Sequence, residues 1–167
     1  MKGLETPGSS EGMAAGARLQ YGHNCKVLIV DDDPTSRLAL AAMLAPDEYE
    51  ITFATDASEV RKRLSLIDPD LVICDLVMRD MCGDEFIRWM QGQARWRLVP
   101  VIGVTRIDSR VVRADLLLSG ADSVLVKPCN PHELRAQVRA SLRTRLKYLQ
   151  LSARRRTTPL AAVPVSL

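Results

Sequence analysis

Four stretches of the chain deliver reactive side chains directly after apolar runs. KVLIV leads into Asp31, Asp32 and Asp33, LVIC into Asp75, VIGV into Thr105, and VLV into Lys127, which Pro128 follows. Three consecutive like charges repel, and burying even one without a partner is costly. A cation offsets that cost. Mg²⁺ is a hard cation, usually held by one or two carboxylates, water and a phosphate oxygen. A carboxylate beside such a metal can act as a nucleophile toward a phosphoryl group. The metal, an ammonium and a hydroxyl then neutralise or hydrogen-bond the phosphoryl oxygens as charge shifts. Within the triple aspartate, Asp31 and Asp32 read as a metal seat and Asp33 as the cap of a helix whose first residue is Pro34, with Asp75 brought up beside them as a further carboxylate. Each residue has a plainer reading when taken alone. Asp31 and Asp32 are then loop acids, Asp75 is a turn cap, and Lys127-Pro128 is a solvated turn.

The apolar runs at 26–30, 50–54, 70–74, 98–104 and 123–126 are short and continuous, as in strands buried on both faces. Helical spacing fills the gaps. Residues 34–44 carry Leu38, Ala41, Ala42 and Ala45 at helical spacing, and residues 56–66 carry Val60, Leu64 and Ile67. A short helix is expected over 83–90, and another over 108–119 that stops at Gly120. A long helix starts at Pro131, with Leu134, Val138, Leu142, Leu146 and Leu149 along one stripe. Five β-α units imply an α/β fold: a (βα)5, doubly wound, parallel five-stranded sheet with helices on both faces. In such sheets ligands bind beyond the carboxyl ends of the strands. The second strand brings nothing distinctive there, only Thr55 and Asp56. The other four bring the carboxylates, the hydroxyl and the amine to one end.

At 47% hydrophobic residues the chain has enough apolar material for a proper core, and 4% aromatics imply that this core is aliphatic. No apolar run approaches the roughly 20 residues that span a bilayer. The four cysteines, Cys25, Cys74, Cys82 and Cys129, are scattered singly, and there are only two histidines, which argues against a zinc site. Cys74 and Cys82 read as packing residues. Reduced thiols and the lack of an apolar export segment point to the cytoplasm. The net charge of +3 conceals an asymmetry, because residues 131–167 carry eight Lys/Arg against the single acid Glu133. The organisation expected is a Gly/Ser/Ala-rich leader over 1–24, one domain over 25–148, and a basic, Pro-containing tail over 149–167.

Taken together and in order, VLIVDDDPTSR, LVICDLVMRDMCGDEF, PVIGVT and VLVKPCNPHEL resemble the receiver domain of bacterial two-component response regulators, over roughly 25–148. The resemblance implies a flavodoxin-like receiver fold, with Asp75 phosphorylated at the expense of a histidine kinase or phosphotransfer protein. It implies Mg²⁺ held by Asp31, Asp32, Asp75 and the backbone carbonyl of Val77. Thr105 would contact the phosphoryl group, Lys127 would pair with it, and the Lys127–Pro128 bond would be cis. The residues flanking the hydrolytic water's approach would be Val77 and Ile107, neither able to hydrogen-bond it. The output would pass to a downstream protein target.

Three departures bear on switching: Arg79 stands where the family usually has proline, Arg106 where it has a small residue, and Val124 where it often has an aromatic. An enzyme reading competes. DDDPT also fits D-x-D-x-T of haloacid-dehalogenase-like phosphatases, with Asp31 as nucleophile and Asp33 as acid/base, but it leaves Asp75 without a role. An unphosphorylated adaptor is a further alternative. No second folded domain fits after Tyr148, so a stand-alone receiver is expected unless the chain is part of a longer one. Arg135, Arg139 and Arg143 form a basic stripe, most simply a solvated face. In a phosphorylation-dependent homodimer they would face Asp108, Asp115 and Asp122 of a second copy. Nucleic acid is the weakest partner, since no aromatics interleave with the basic residues.

Overall fold

A computed structural model describes residues 25–157 except 48, 64–65 and 79–80, with side chains described as far as 153. The apolar runs form β1 (Lys26–Val30), β2 (Glu50–Ala54), β3 (Leu71–Asp75), β4 (Val101–Thr105) and β5 (Ser123–Val126). They pair in parallel in the order β2-β1-β3-β4-β5. Every residue of β3 and β4 is buried, which is why their sequences are apolar without alternation.

Helices α1 (Pro34–Leu44), α2 (Ala57–Lys62), α3 (Gly83–Gly92), α4 (Arg110–Leu118) and α5 (Pro131–Thr157) join and follow the strands. Leu40 and Leu44 of α1, with Leu134 and Val138 of α5, pack on Val27, Ile29, Ile73 and Val104. On the opposite face Val60, Phe86, Ile87 and Leu116, from α2, α3 and α4, pack on Leu28, Val30, Val72 and Cys74. Successive strand residues therefore face opposite layers. A one-residue slip would exchange both sets at once, which fixes the register that positions the strand ends.

Several details differ from the sequence expectations. β3 and β4 end one residue later, so Asp75 and Thr105 are the last residues of their strands. β4 begins at Val101, because Pro100 has no N–H for the ladder. The buried stripe of α1 is Leu40 and Leu44, whereas Leu38 is 65% exposed. α2 stops at Lys62, with the backbone N–H of Arg63 bonded back into its last turn. Leu64 lies outside the described residues. The core is not wholly aliphatic: Trp96 and Phe86 are its largest fully buried side chains, and Trp89 lies 5.7 Å from Phe86 and 6.3 Å from Trp96 between ring centroids. Gly120 follows α4 at φ 107°, the left-handed conformation expected of a glycine in that place.

α5 is 27 residues long, about 40 Å at 1.5 Å per residue, and runs unbroken through the boundary expected at 148. Its N-terminus is capped by Asn130, whose Oδ1 accepts from the backbone N–H of His132 at 2.8 Å and of Glu133 at 3.3 Å. Leu134, Val138, Leu142 and Leu146 are buried and Leu149 is exposed. The basic stripe is largely used within the chain. Arg135 donates to the Met43 carbonyl at 3.2 Å, and Arg139 pairs with Asp47. On the acidic side Asp122 accepts from the Val101 N–H at 2.8 Å, and Asp108 pairs with Arg113. Of these four contacts, the two ion pairs, Arg139–Asp47 and Asp108–Arg113, neutralise charge within the chain. The side chains of Arg154 to Arg156 lie outside the described residues.

None of the four cysteines forms a disulfide. Cys74 is buried as expected, but Cys82 is exposed at the N-cap of α3 and is not a packing residue. Burial, with Asp70 nearby, pushes the Cys25 thiol up to about 11. Burial also raises that of Cys129. A disulfide-exchange reagent at pH 8 is therefore expected to modify one thiol rapidly, since the thiolate is the reactive form. Cys82→Ser should remove that fast phase, and its survival in the variant would contradict the exposure assigned to Cys82.

Candidate functional site at the carboxyl ends of the strands

Strand register assembles the site. Val30 pairs with Cys74, Asp75 with Val104, and Thr105 with Val126. The residues that follow are therefore delivered in step: Asp31 beside Asp75, then Thr105, then Lys127.

Asp31 is fully buried and Asp75 is 6% exposed. Two carboxylates in such positions need donors. Lys127 supplies the main one, with Nζ 2.8 Å from Asp31 Oδ2 and 2.7 Å from Asp75 Oδ2. Burial alone would push the Lys127 ammonium down, but its hydrogen bonds and charge attraction to Asp31 and Asp75 outweigh this, and its pKa stands above the ordinary lysine value. Asp31 Oδ2 also accepts from Ser36 Oγ at 2.6 Å, and Oδ1 from the Asp33 N–H at 2.9 Å. Asp75 Oδ1 accepts from the Val77 N–H at 3.2 Å. The Lys127–Pro128 peptide is cis.

One carboxylate oxygen from each of Asp31, Asp32 and Asp75 lies within 4.8 Å of the others. The donor set is all oxygen and anionic, which suits a hard divalent cation such as Mg²⁺ and not a soft one. Thr105 is fully buried, and its Oγ1 accepts from the Ile107 N–H at 3.0 Å. Val77 and Ile107 are 60% and 48% exposed, so the two apolar flanks expected beside the site face solvent.

Gly83 lies against the acceptor strand. A Cβ there would come within 2.6 Å of Leu76 Cα and 2.8 Å of the Asp75 carbonyl oxygen. Its N–H donates to the Leu76 carbonyl at 3.0 Å. Glycine is needed for this approach, and it ties the start of α3 to the end of β3.

The structure brings together Asp31, Asp32, Asp75 and Lys127. Thr105 stands on the adjacent strand end, and Asp33 caps α1 through Thr35 N–H at 2.9 Å, as expected. That cap, together with an ion pair from Asp33 Oδ2 to Arg106 at 3.4 Å, gives no support to Asp33 as the acid/base of a phosphatase. Sequence reasoning missed Ser36 and Arg37. The first donates to Asp31's carboxylate, the second to its backbone carbonyl. Both sit in the first turn of α1, and polar residues just after a Pro-initiated helix were the available signal. Val124 is partly buried against the core, and Arg79 lies outside the described residues. Among the described residues no helix is long and apolar enough to cross a membrane.

Comparison with known proteins follows the same lines. The model of the response regulator receiver domain matches residues 27–139. The chain is 33% identical to the DNA-binding response regulator MtrA of Mycolicibacterium smegmatis over 118 residues, which cover 71% of this chain and 50% of MtrA. It is 31% identical to the sensor histidine kinase TmoS of Ectopseudomonas mendocina over 113 residues, 68% of this chain and 12% of TmoS. The solved structure of the chemotaxis response regulator CheY4 of Vibrio cholerae matches with a TM-score of 0.66 at 28% identity, covering 71% of this chain and 99% of CheY4. The chain thus spans half or less of these two curated relatives and nearly all of that solved receiver. A parallel five-stranded sheet with an aspartate cluster and a lysine at its carboxyl edge, matched by the family model over more than half of the sequence, establishes that the chain belongs to the response regulator receiver domain family, the receiving module of two-component phosphorelay signalling.

Proposed function

We propose that Asp75 accepts a phosphoryl group from a histidine kinase or phosphotransfer protein and that the phosphorylated chain signals to a downstream protein. The observation that carries this reading is Lys127 Nζ held between Asp31 and Asp75, beside an oxygen cluster that includes Asp32. An Asp75 carboxylate oxygen attacks the phosphorus, the bond from phosphorus to the donor's nitrogen breaks, and the electron pair leaves with the donor imidazole. Lys127 pairs with the phosphoryl oxygens, and Thr105 turns its hydroxyl toward them. Asp31, Asp32, Asp75 and the Val77 carbonyl would hold Mg²⁺, which when bound neutralises charge on those oxygens. The chain acts as a cytoplasmic signalling module and not as a turnover enzyme, with the receiver over 25–148, a leader before it and a basic tail after it. The test is incubation with acetyl phosphate and Mg²⁺, followed by intact mass. No phosphoryl adduct at Asp75 would reject the reading.

Oligomeric output is tested by sedimentation with and without beryllofluoride. A phosphorylation-dependent homodimer predicts a change in mass, and an unchanged monomer removes it.

The lifetime of the phosphoryl group follows from its flanks. Val77 and Ile107 cannot hydrogen-bond a water approaching the phosphorus. Losing one water-positioning interaction of about 1.4 kcal/mol slows a step about tenfold. Combining Val77→Asn with Ile107→Glu is therefore expected to quicken decay of the phosphorylated protein by about that factor. Decay no faster than wild type would show that the apolar flanks do not set the lifetime.

A further inference from the structure

The Arg106–Asp33 ion pair joins two loops that are not neighbours. Arg106 follows β4 and Asp33 follows β1, and the strand between them in the sheet is β3, which ends in Asp75. A link from one loop to the other must therefore cross the carboxyl end of β3. The Arg106 side chain is 69% exposed and that of Asp33 39%, so the pair lies at the exposed rim, whereas the Lys127 side chain is only 12% exposed. An exposed pair of this kind is weak and easily exchanged. A planar guanidinium prefers a phosphoryl group, which offers it several anionic oxygens, to a single carboxylate oxygen.

We propose that Arg106 is a second cationic ligand of the phosphoryl group on Asp75, held in reserve over the site by Asp33 and released to the phosphoryl oxygens when they arrive. This rests on Asp75 being the acceptor. Lys127 then holds the phosphoryl group from below and Arg106 closes on it from above. Asp33 competes for Arg106, and its Oδ1 keeps capping α1 whichever partner Arg106 takes.

The two members of the pair should act with opposite sign. The full chain is titrated with beryllofluoride at saturating Mg²⁺ and bound fluoride is followed by NMR. Arg106→Ala is expected to weaken beryllofluoride binding about tenfold, the size of one charge-assisted hydrogen bond, and to shorten the phosphoryl lifetime. Asp33→Asn keeps the N-cap, frees Arg106, and is expected to tighten binding about threefold. In the double variant the tightening should vanish, leaving the affinity of Arg106→Ala alone. A structural ion pair would weaken binding in both single variants, and that result overturns the proposal. Tightening by Asp33→Asn that persists without Arg106 assigns the effect to general charge and also overturns it. Wild-type binding with no change in Arg106→Ala rejects the role of Arg106 while sparing the acceptor reading. A wild-type chain that binds no beryllofluoride removes both.

Discussion

Asp75→Asn is expected to abolish the hydroxylamine-labile phosphoryl adduct completely while leaving the fold intact. The amide matches the carboxylate in shape and still offers an oxygen to the Val77 N–H, but it has no anionic oxygen to attack phosphorus. Removing one charge from the cluster does not strand Lys127, because Asp31 remains 2.8 Å from its Nζ. Intact mass after treatment with acetyl phosphate and Mg²⁺ measures the adduct, and circular dichroism checks the fold. Undiminished incorporation in the variant would move the acceptor elsewhere.

Lys127→Ala carries the largest expected stability effect. It leaves Asp31 and Asp75 buried together without their shared cation, and breaking a buried pair by removing one partner costs about 3–5 kcal/mol. Mg²⁺ should return part of that loss, since a ligand at a hundredfold excess over Kd stabilises by about 2.7 kcal/mol if the unfolded chain does not bind it. Urea unfolding with and without millimolar Mg²⁺ measures both numbers. A variant as stable as wild type in metal-free buffer would contradict the pairing, and indifference of both proteins to Mg²⁺ would contradict the metal seat. The pH dependence has a definite sign. The lysine pKa is raised in the folded state, so its stabilisation is fully present below the ordinary value of 10.5 and fades as pH rises through the raised one.

The parts of this molecule legible in its sequence are those encoded locally. Runs such as LVIC and VIGV are apolar because both faces of β3 and β4 are covered, and that burial alone identifies them. Asp31, Asp75, Thr105 and Lys127 were readable because each follows or ends such a run, and the sheet gathers strand ends. Less legible were features set by packing between distant segments. Leu38 and Leu40 are equally apolar, and only the seat of α1 beneath α5 decides that Leu40 is buried. Arg135 and Arg139 resemble a free basic face until Met43 and Asp47 are brought opposite them. The Arg106–Asp33 link depends on β3 lying between β1 and β4, an order that no short stretch of sequence records.

α5 begins at Pro131, four residues after Lys127, and its last described residue is about 40 Å away. Mechanically it is a lever whose fulcrum adjoins the lysine. A tilt of about 5° at Asn130 would move Thr157 by about 3.5 Å at that length. An adjustment at the strand ends too small to alter the core would thus reach the far end of the helix as a displacement comparable to a side-chain contact distance.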